Sequence, residues 1–96
     1  MTERNMEKIN KNIEFLYNTI LKIETMEECE ALFDDLCTKK EVEQMAQRVA
    51  AAVLLQEGKT YAEIIQKTDI SSATLSRVSR CIQRGSGGYK NFLPKK

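Results

Sequence analysis

The sequence predicts an all-α fold, a small bundle of about five helices ending in a helix-turn-helix, and three observations carry that prediction. Apolar residues recur at intervals of three and four along the chain, no segment sustains a period-two run of β-branched residues, and helix-capping signatures stand at successive boundaries. A chain of 96 residues has room for one small hydrophobic core. One domain is therefore expected over residues 1–88, with core and dimerisation helices at 1–57 and a helix-turn-helix at 58–85, followed by a basic and aromatic tail at 89–96.

The first helix is written by Met6, Ile9, Ile13, Leu16 and Ile20, spaced 3-4-3-4, with Phe15, Tyr17 and Leu21 widening the stripe beyond what one neighbouring helix covers. An ordinary core face is the plainer reading. So wide a stripe in so short a chain favours a second copy as the neighbour, with Ile9, Ile13, Leu16, Tyr17 and Ile20 at the dimer interface.

Capping boxes mark the next three starts, each a Thr with Glu three residues later. Thr25 and Glu28 open a short helix holding Leu32, Phe33 and Leu36. Thr38 and Glu41 open a longer one holding Val42, Met45, Val49 and Val53, and Gly58 is placed to end it in a left-handed cap. Within it Ala50, Ala51 and Ala52 would let another helix approach closely. Thr60 and Glu63 open a short helix with Ile64 and Ile65. After the turn Thr68-Asp69-Ile70, either Ser71 or Ser72 can cap a last helix running to about Arg84, with Leu75, Val78 and Ile82 inward and Gly85 as its stop. The tail is expected to be partly disordered in the free protein, with Tyr89, Phe92 and Leu93 able to dock on the body.

Composition removes several function classes. The chain has no histidine, so Ser–His and Cys–His nucleophile pairs and His metal ligands are excluded. Its three cysteines, Cys29, Cys37 and Cys81, lack CxxC spacing and are read as reduced and mostly structural. The acidic residues Glu24, Glu27, Glu28, Glu30, Asp34 and Asp35 read as a solvated face without the spacing or glycine of a calcium loop. No catalytic residue, metal or cofactor is therefore assigned, and the protein is not read as an enzyme. No apolar run is long enough to cross a membrane and the first dozen residues are too polar for a secretory signal, so the expected compartment is the cytoplasm.

A net charge of +1 conceals a gradient. Residues 1–57 hold seven Lys or Arg against twelve Asp or Glu, while 58–96 hold eight against two, and no acid occurs from Ile70 onward. That asymmetry points to an anionic partner for the C-terminal half.

The segment TYAEIIQKTDISSATLSRVSR joins a short capped helix, a brief turn and a second capped helix, with Ala62, Ile65, Ile70, Leu75 and Val78 able to share a core. This is the grammar of a helix-turn-helix. On the second helix the inward row leaves Ser72, Ala73, Ser76, Arg77, Arg80, Gln83 and Arg84 for solvent, and Ala73, Arg77, Arg80 and Arg84 recur at intervals of 4, 3 and 4. Small side chains at the N-terminal end let the helix sit deep in a major groove, so Ser72, Ala73, Ser76 and Arg77 are assigned to bases of double-stranded DNA. Lys59, Thr60, Tyr61, Lys67, Arg80 and Arg84 are assigned to phosphates, although Tyr61 could equally be a packed aromatic. The alternative is a non-catalytic module that binds a protein or RNA through the same basic face.

The stretch CTKKEVEQMAQRVAAAVLLQEGKTYAEIIQKTDISSATLSRVSR resembles the Trp-repressor superfamily, and within it the small bacterial YerC/YecD-type Trp-repressor-like proteins. The residues carrying the resemblance are Thr38, Arg48-Val49, Leu54-Leu55, Gly58 and Ala73-Thr74-Leu75-Ser76-Arg77, within about 25–88. It implies an intertwined all-helical homodimer that reads two half-sites of an operator and regulates transcription, most often as a repressor. It also implies a tryptophan site, and here the chain departs from the pattern. One corepressor arginine is expected where this chain has Ala50; Arg77 matches the other, and the glycine after it is here Val78. No tryptophan binding is therefore expected. The repressor's last helix is expected to be lacking, since eight residues follow Gly88.

Overall fold

The computed structural model describes residues 3–94, so the closing lysines of the tail, Lys95 and Lys96, lie outside the described residues. Among the described residues there are six α-helices and no strand: α1 (Glu3–Ile20), α2 (Met26–Leu36), α3 (Lys39–Gln56), α4 (Tyr61–Thr68), α5 (Ser72–Arg84) and α6 (Gly88–Phe92). The all-helical expectation holds, with one helix more than the sequence suggested. The chain divides into two compact units, one up to Thr38 and one from Lys39 onward.

The first unit contains α1 and α2. Thr25 caps α2 as its box predicts, its hydroxyl accepting the Glu28 N–H at 3.1 Å. The reciprocal half of the box falls one residue earlier than expected, because the Glu28 carboxylate accepts from the Glu24 N–H at 2.8 Å. Along α1 the apolar stripe is uncovered: Met6, Ile9, Ile13, Phe15, Leu16 and Tyr17 are all exposed and Ile20 is half-buried. Leu32 and Phe33 on α2 are half-buried.

The second unit holds the core. α3 packs against α4 and α5, and Ala51 and Ala52 at that crossing are completely buried, as close helix approach requires. Ile64, Ile70, Leu75 and Val78 complete the centre, and Val53, Leu54, Leu55, Ile65 and Ile82 pack around it. The structure corrects one assignment here: Ile64 occupies the core and Ala62 is exposed, because the eight-residue α4 turns its Ile64 side toward α3 and α5.

Helix ends follow the sequence signals. Gly58 takes φ +84, its N–H bonds the Leu55 carbonyl and the Lys59 N–H bonds that of Leu54, so α3 ends in a Schellman motif. Gly85 stops α5 in extended geometry, and a Cβ there would strike the Cys81 carbonyl. The tail docks as expected through Leu93, buried in the core cluster, and Tyr89, packed against it, but it departs from expectation in forming a helix, α6, over Gly88–Phe92 and in leaving Phe92 exposed. Leu93 supplies an apolar anchor that two preceding glycines allow to fold back.

Candidate nucleic-acid interface

The helix-turn-helix occupies α4, a three-residue connection and α5. Thr60 caps α4, its hydroxyl accepting the Glu63 N–H at 3.2 Å and donating to the Glu63 carboxylate at 3.1 Å. The turn is held by Thr68, whose hydroxyl donates to the Ile64 carbonyl at 2.7 Å and accepts the Ile70 N–H at 3.3 Å. Asp69 closes α4 in the left-handed region at φ 60, with its N–H on the Ile65 carbonyl, and it is the one described non-glycine residue with positive φ. Asp tolerates that conformation better than most side chains. Ile70 is buried beneath the turn, so the angle at which α5 leaves is fixed by core packing as well as by hydrogen bonds.

Ser71, rather than Ser72, is the α5 cap: its oxygen accepts the Thr74 N–H at 3.2 Å and its hydroxyl donates to Thr74 Oγ1 at 2.8 Å. Capping by Ser71 leaves Ser72 as the first helical residue, with its side chain exposed. Leu75 and Val78 are buried and Ile82 is half-buried, which turns Ser72, Ala73, Ser76, Arg77, Arg80, Gln83 and Arg84 to solvent. α5 contains no carboxylate, and Arg84 lies in its last turn. The four residues assigned to bases therefore share the exposed N-terminal portion of one helix, and Arg80 and Arg84 continue it.

The remaining cations are less gathered. Lys59, Thr60 and Tyr61 are exposed at the N-terminal end of α4, where that helix's first N–H groups lie. Tyr61 is 43% exposed and is not the packed aromatic it could have been. Lys67, in the last turn of α4, borders a separate hollow with Glu43, Ala46, Gln47 and Ala50 of α3.

Beside the exposed face of α5 lies a cleft of about 340 Å³ lined by Arg48, Thr74, Arg77, Val78, Cys81 and Tyr89. This corrects the reading that Ala50 breaks an arginine pair. Arg48 stands three and four residues before the buried Ala51 and Ala52, so it continues the face of α3 that meets α5, while Ala50 is exposed on the hollow that Lys67 borders. The same spacing was available in the sequence and would have placed Arg48 opposite Arg77. Tyr89 had no such signal, because it reaches the cleft only through the fold of the tail. All three cysteines are free thiols, Cys29 and Cys37 half-buried and Cys81 exposed at the cleft, so the structural reading does not fit Cys81. Among the described residues no helix is long and apolar enough to cross a membrane, and no cluster of three metal-ligating side chains occurs.

Comparison with known proteins places these features in context. The family model described as Trp repressor protein matches residues 11–96. The uncharacterized protein YerC of Bacillus subtilis is 44% identical over 85 residues, covering 88% of this chain and 82% of that protein. A candidate Trp repressor from Staphylococcus aureus, known as a crystal structure, superposes with a TM-score of 0.81 at 38% identity, over 94% of this chain and 89% of that one. A TrpR-like protein from Eubacterium eligens gives 0.80 at 38% identity, over 83% and 82% of the two chains.

Proposed function

Since the chain belongs to the Trp repressor protein family, we propose that it is a sequence-specific DNA-binding transcriptional regulator, acting as a repressor on a palindromic operator. The observation that carries this reading is the solvent face of α5, where small Ser72, Ala73 and Ser76 precede Arg77, Arg80 and Arg84 with no acid among them. Short side chains at the helix N-terminus allow close approach to base edges in a major groove, and the arginines follow where guanines and phosphates lie. Ser72, Ala73, Ser76 and Arg77 are the base-reading residues of this proposal. Lys59, Thr60, Tyr61, Lys67, Arg80 and Arg84 hold the backbone and set register without reading sequence.

One recognition helix covers only a few base pairs, so the proposal includes a homodimer. Its support is the exposed α1 stripe of Ile9, Ile13, Leu16 and Tyr17 with the half-buried Ile20 beside it, an apolar surface of the kind that marks an interface. Two-fold symmetry then calls for half-sites about 34–36 Å apart, one helical turn of the duplex. The regulator acts without tryptophan, and the support for this is Val78 in the cleft wall. Cytoplasmic residence accords with a genomic target.

The test is selection of bound sequences from a random duplex pool at near-physiological salt, with the protein's mass in solution measured alongside. Enrichment of a palindrome by a dimer is expected. Binding without enrichment that vanishes as salt rises would reject the proposal in favour of a module that binds RNA or protein through its basic face.

A further inference from the structure

Beyond Gly85 the chain runs through Ser86, Gly87 and Gly88 and returns to the body as α6. Gly87 takes φ +88, which glycine reaches without steric cost, so the reversal strains no side chain. α6 has five residues, too few for a helix to persist on its own propensity. What seats it is a small set of contacts: Leu93, 8% exposed within the core cluster, and Tyr89, half-buried beside it. Lys90, Asn91 and Phe92 are all exposed, so burial in the seat is concentrated in Leu93 and Tyr89. The rest of the core, Ala51, Ala52, Ile64, Ile70, Leu75 and Val78, comes from α3, α4, α5 and the turn between the last two, and none of it belongs to the segment.

Two consequences meet at this seat. α6 packs on α5, the helix that carries Arg77, Arg80 and Arg84. Tyr89 also forms a wall of the cleft that Arg48 and Arg77 line. We infer that residues 86–93 are a detachable strap, which when docked closes one side of the Arg48–Arg77 cleft and steadies the C-terminal half of α5, and when released opens the cleft and loosens that half. The strap is thus a point at which DNA affinity can be altered without touching a DNA-contacting residue. The affinity consequence rests on the proposed function; the detachment does not.

Amide hydrogen exchange of the full chain without DNA tests the detachment. The strap amides of Asn91 and Leu93, which donate to the Gly87 and Tyr89 carbonyls, are expected to exchange at least about tenfold faster than those of Ala52 and Val78. Leu93→Ser is expected to bring strap amides to the unprotected rate and to speed those of Cys81–Arg84 about tenfold, leaving Ala52 and Leu75 nearly unchanged, and Leu93→Met is expected to restore protection. Strap amides as slow as the core, or Leu93→Ser speeding α3, α4 and α5 alike, would overturn the proposal by making the segment an ordinary part of the core.

On the selected duplex, Leu93→Ser is expected to lower affinity about tenfold with an unchanged salt slope and Leu93→Met to regain it. Unchanged affinity beside a loosened strap would overturn the coupling to α5. A comparable loss in Lys90→Gln, with a flatter salt slope, would overturn it as well, because the tail would then be a phosphate-contacting arm. Should no duplex be selected at all, the proposed function fails, and the exchange measurement still decides whether the strap detaches.

Discussion

Ser76 and Arg80 lie four residues apart on the exposed side of α5, so alanine at each position alters the same surface in different chemistry. If Arg80 holds a phosphate, Arg80→Ala in a dimer deletes two such contacts. At about 0.9 per contact, the log–log dependence of affinity on salt flattens by about 1.8. A rise from about 50 to about 200 mM salt should then cost the variant about 12-fold less affinity than it costs the unaltered protein. The unaltered slope follows from the four cations assigned to the backbone, Lys59, Lys67, Arg80 and Arg84, which double in the dimer and give about −7. Ser76→Ala should leave that slope unchanged and, at about 1–3 kcal/mol for each of the dimer's two base contacts, lower affinity for the selected sequence by about 2–6 kcal/mol, with random duplex unaffected. Fluorescence anisotropy titrations of selected and random duplexes at four salt concentrations separate the two outcomes. Equal losses on both duplexes from both variants would refute the division of the helix into reading and anchoring residues.

Ile13→Asp places a carboxylate in the middle of the α1 stripe and should halve the mass seen by sedimentation equilibrium at micromolar protein, leaving the second unit folded; a variant that stays dimeric would remove α1 from the interface. Leu75→Ala empties one of the largest fully buried side chains and should cost about 2–5 kcal/mol, against about 3–9 kcal/mol for a unit of this size. A urea midpoint unmoved by that change would deny that the core fixes α5. Asp69→Val should destabilise by about 1–2 kcal/mol, because φ 60 is closed to a β-branched side chain, while Asp69→Gly should be neutral or slightly stabilising. Melting temperatures read this directly, since about 1 kcal/mol shifts a domain this small by about 4–8 °C.

The sequence made the helices legible because their boundaries are set by local chemistry. Thr25, Thr60 and Ser71 cap where their spacing to the next donor says they should, and Gly58 ends α3 through a conformation that favours glycine. The exposed row of α5 was equally readable, since removing Leu75, Val78 and Ile82 from a 3.6-residue period leaves only one other face. What escaped was of longer range. Whether Ala62 or Ile64 enters the core depends on the direction from which α3 crosses α4, which no local pattern encodes. The docking of Leu93 depends on an apolar surface that exists only once α3, α4 and α5 are packed. The cleft combines residues of α3, α5 and α6: Arg77 and Val78 are legible in the sequence, whereas the α3 partner is Arg48, two positions before the Ala50 that the resemblance points to.

The position of Arg48 in the cleft bears directly on tryptophan. At about 340 Å³ the cleft is within the range of small-molecule sites, and Arg48 and Arg77 together would attract a carboxylate, so neither volume nor charge excludes an amino acid. The proposed exclusion of tryptophan rests on the wall. Val78 is 2% exposed, it belongs to the core cluster, and as a β-branched residue in a helix it has essentially one rotamer, so it cannot swing aside for an indole without disturbing Leu75 and the alanines of α3. Tyr89 narrows the same space from the tail. Isothermal titration with L-tryptophan at concentrations up to about 1 mM should therefore show no binding, since detectable affinity there would need more than about 4 kcal/mol from a slot already filled. Val78→Gly should open the slot at a cost in stability of about 0.3–0.5 kcal/mol from helix propensity and a larger loss from the emptied core. Micromolar binding by the unaltered protein would refute the exclusion outright. Absence of binding in both proteins would instead mean that the barrier is Tyr89, and with it the strap, rather than Val78.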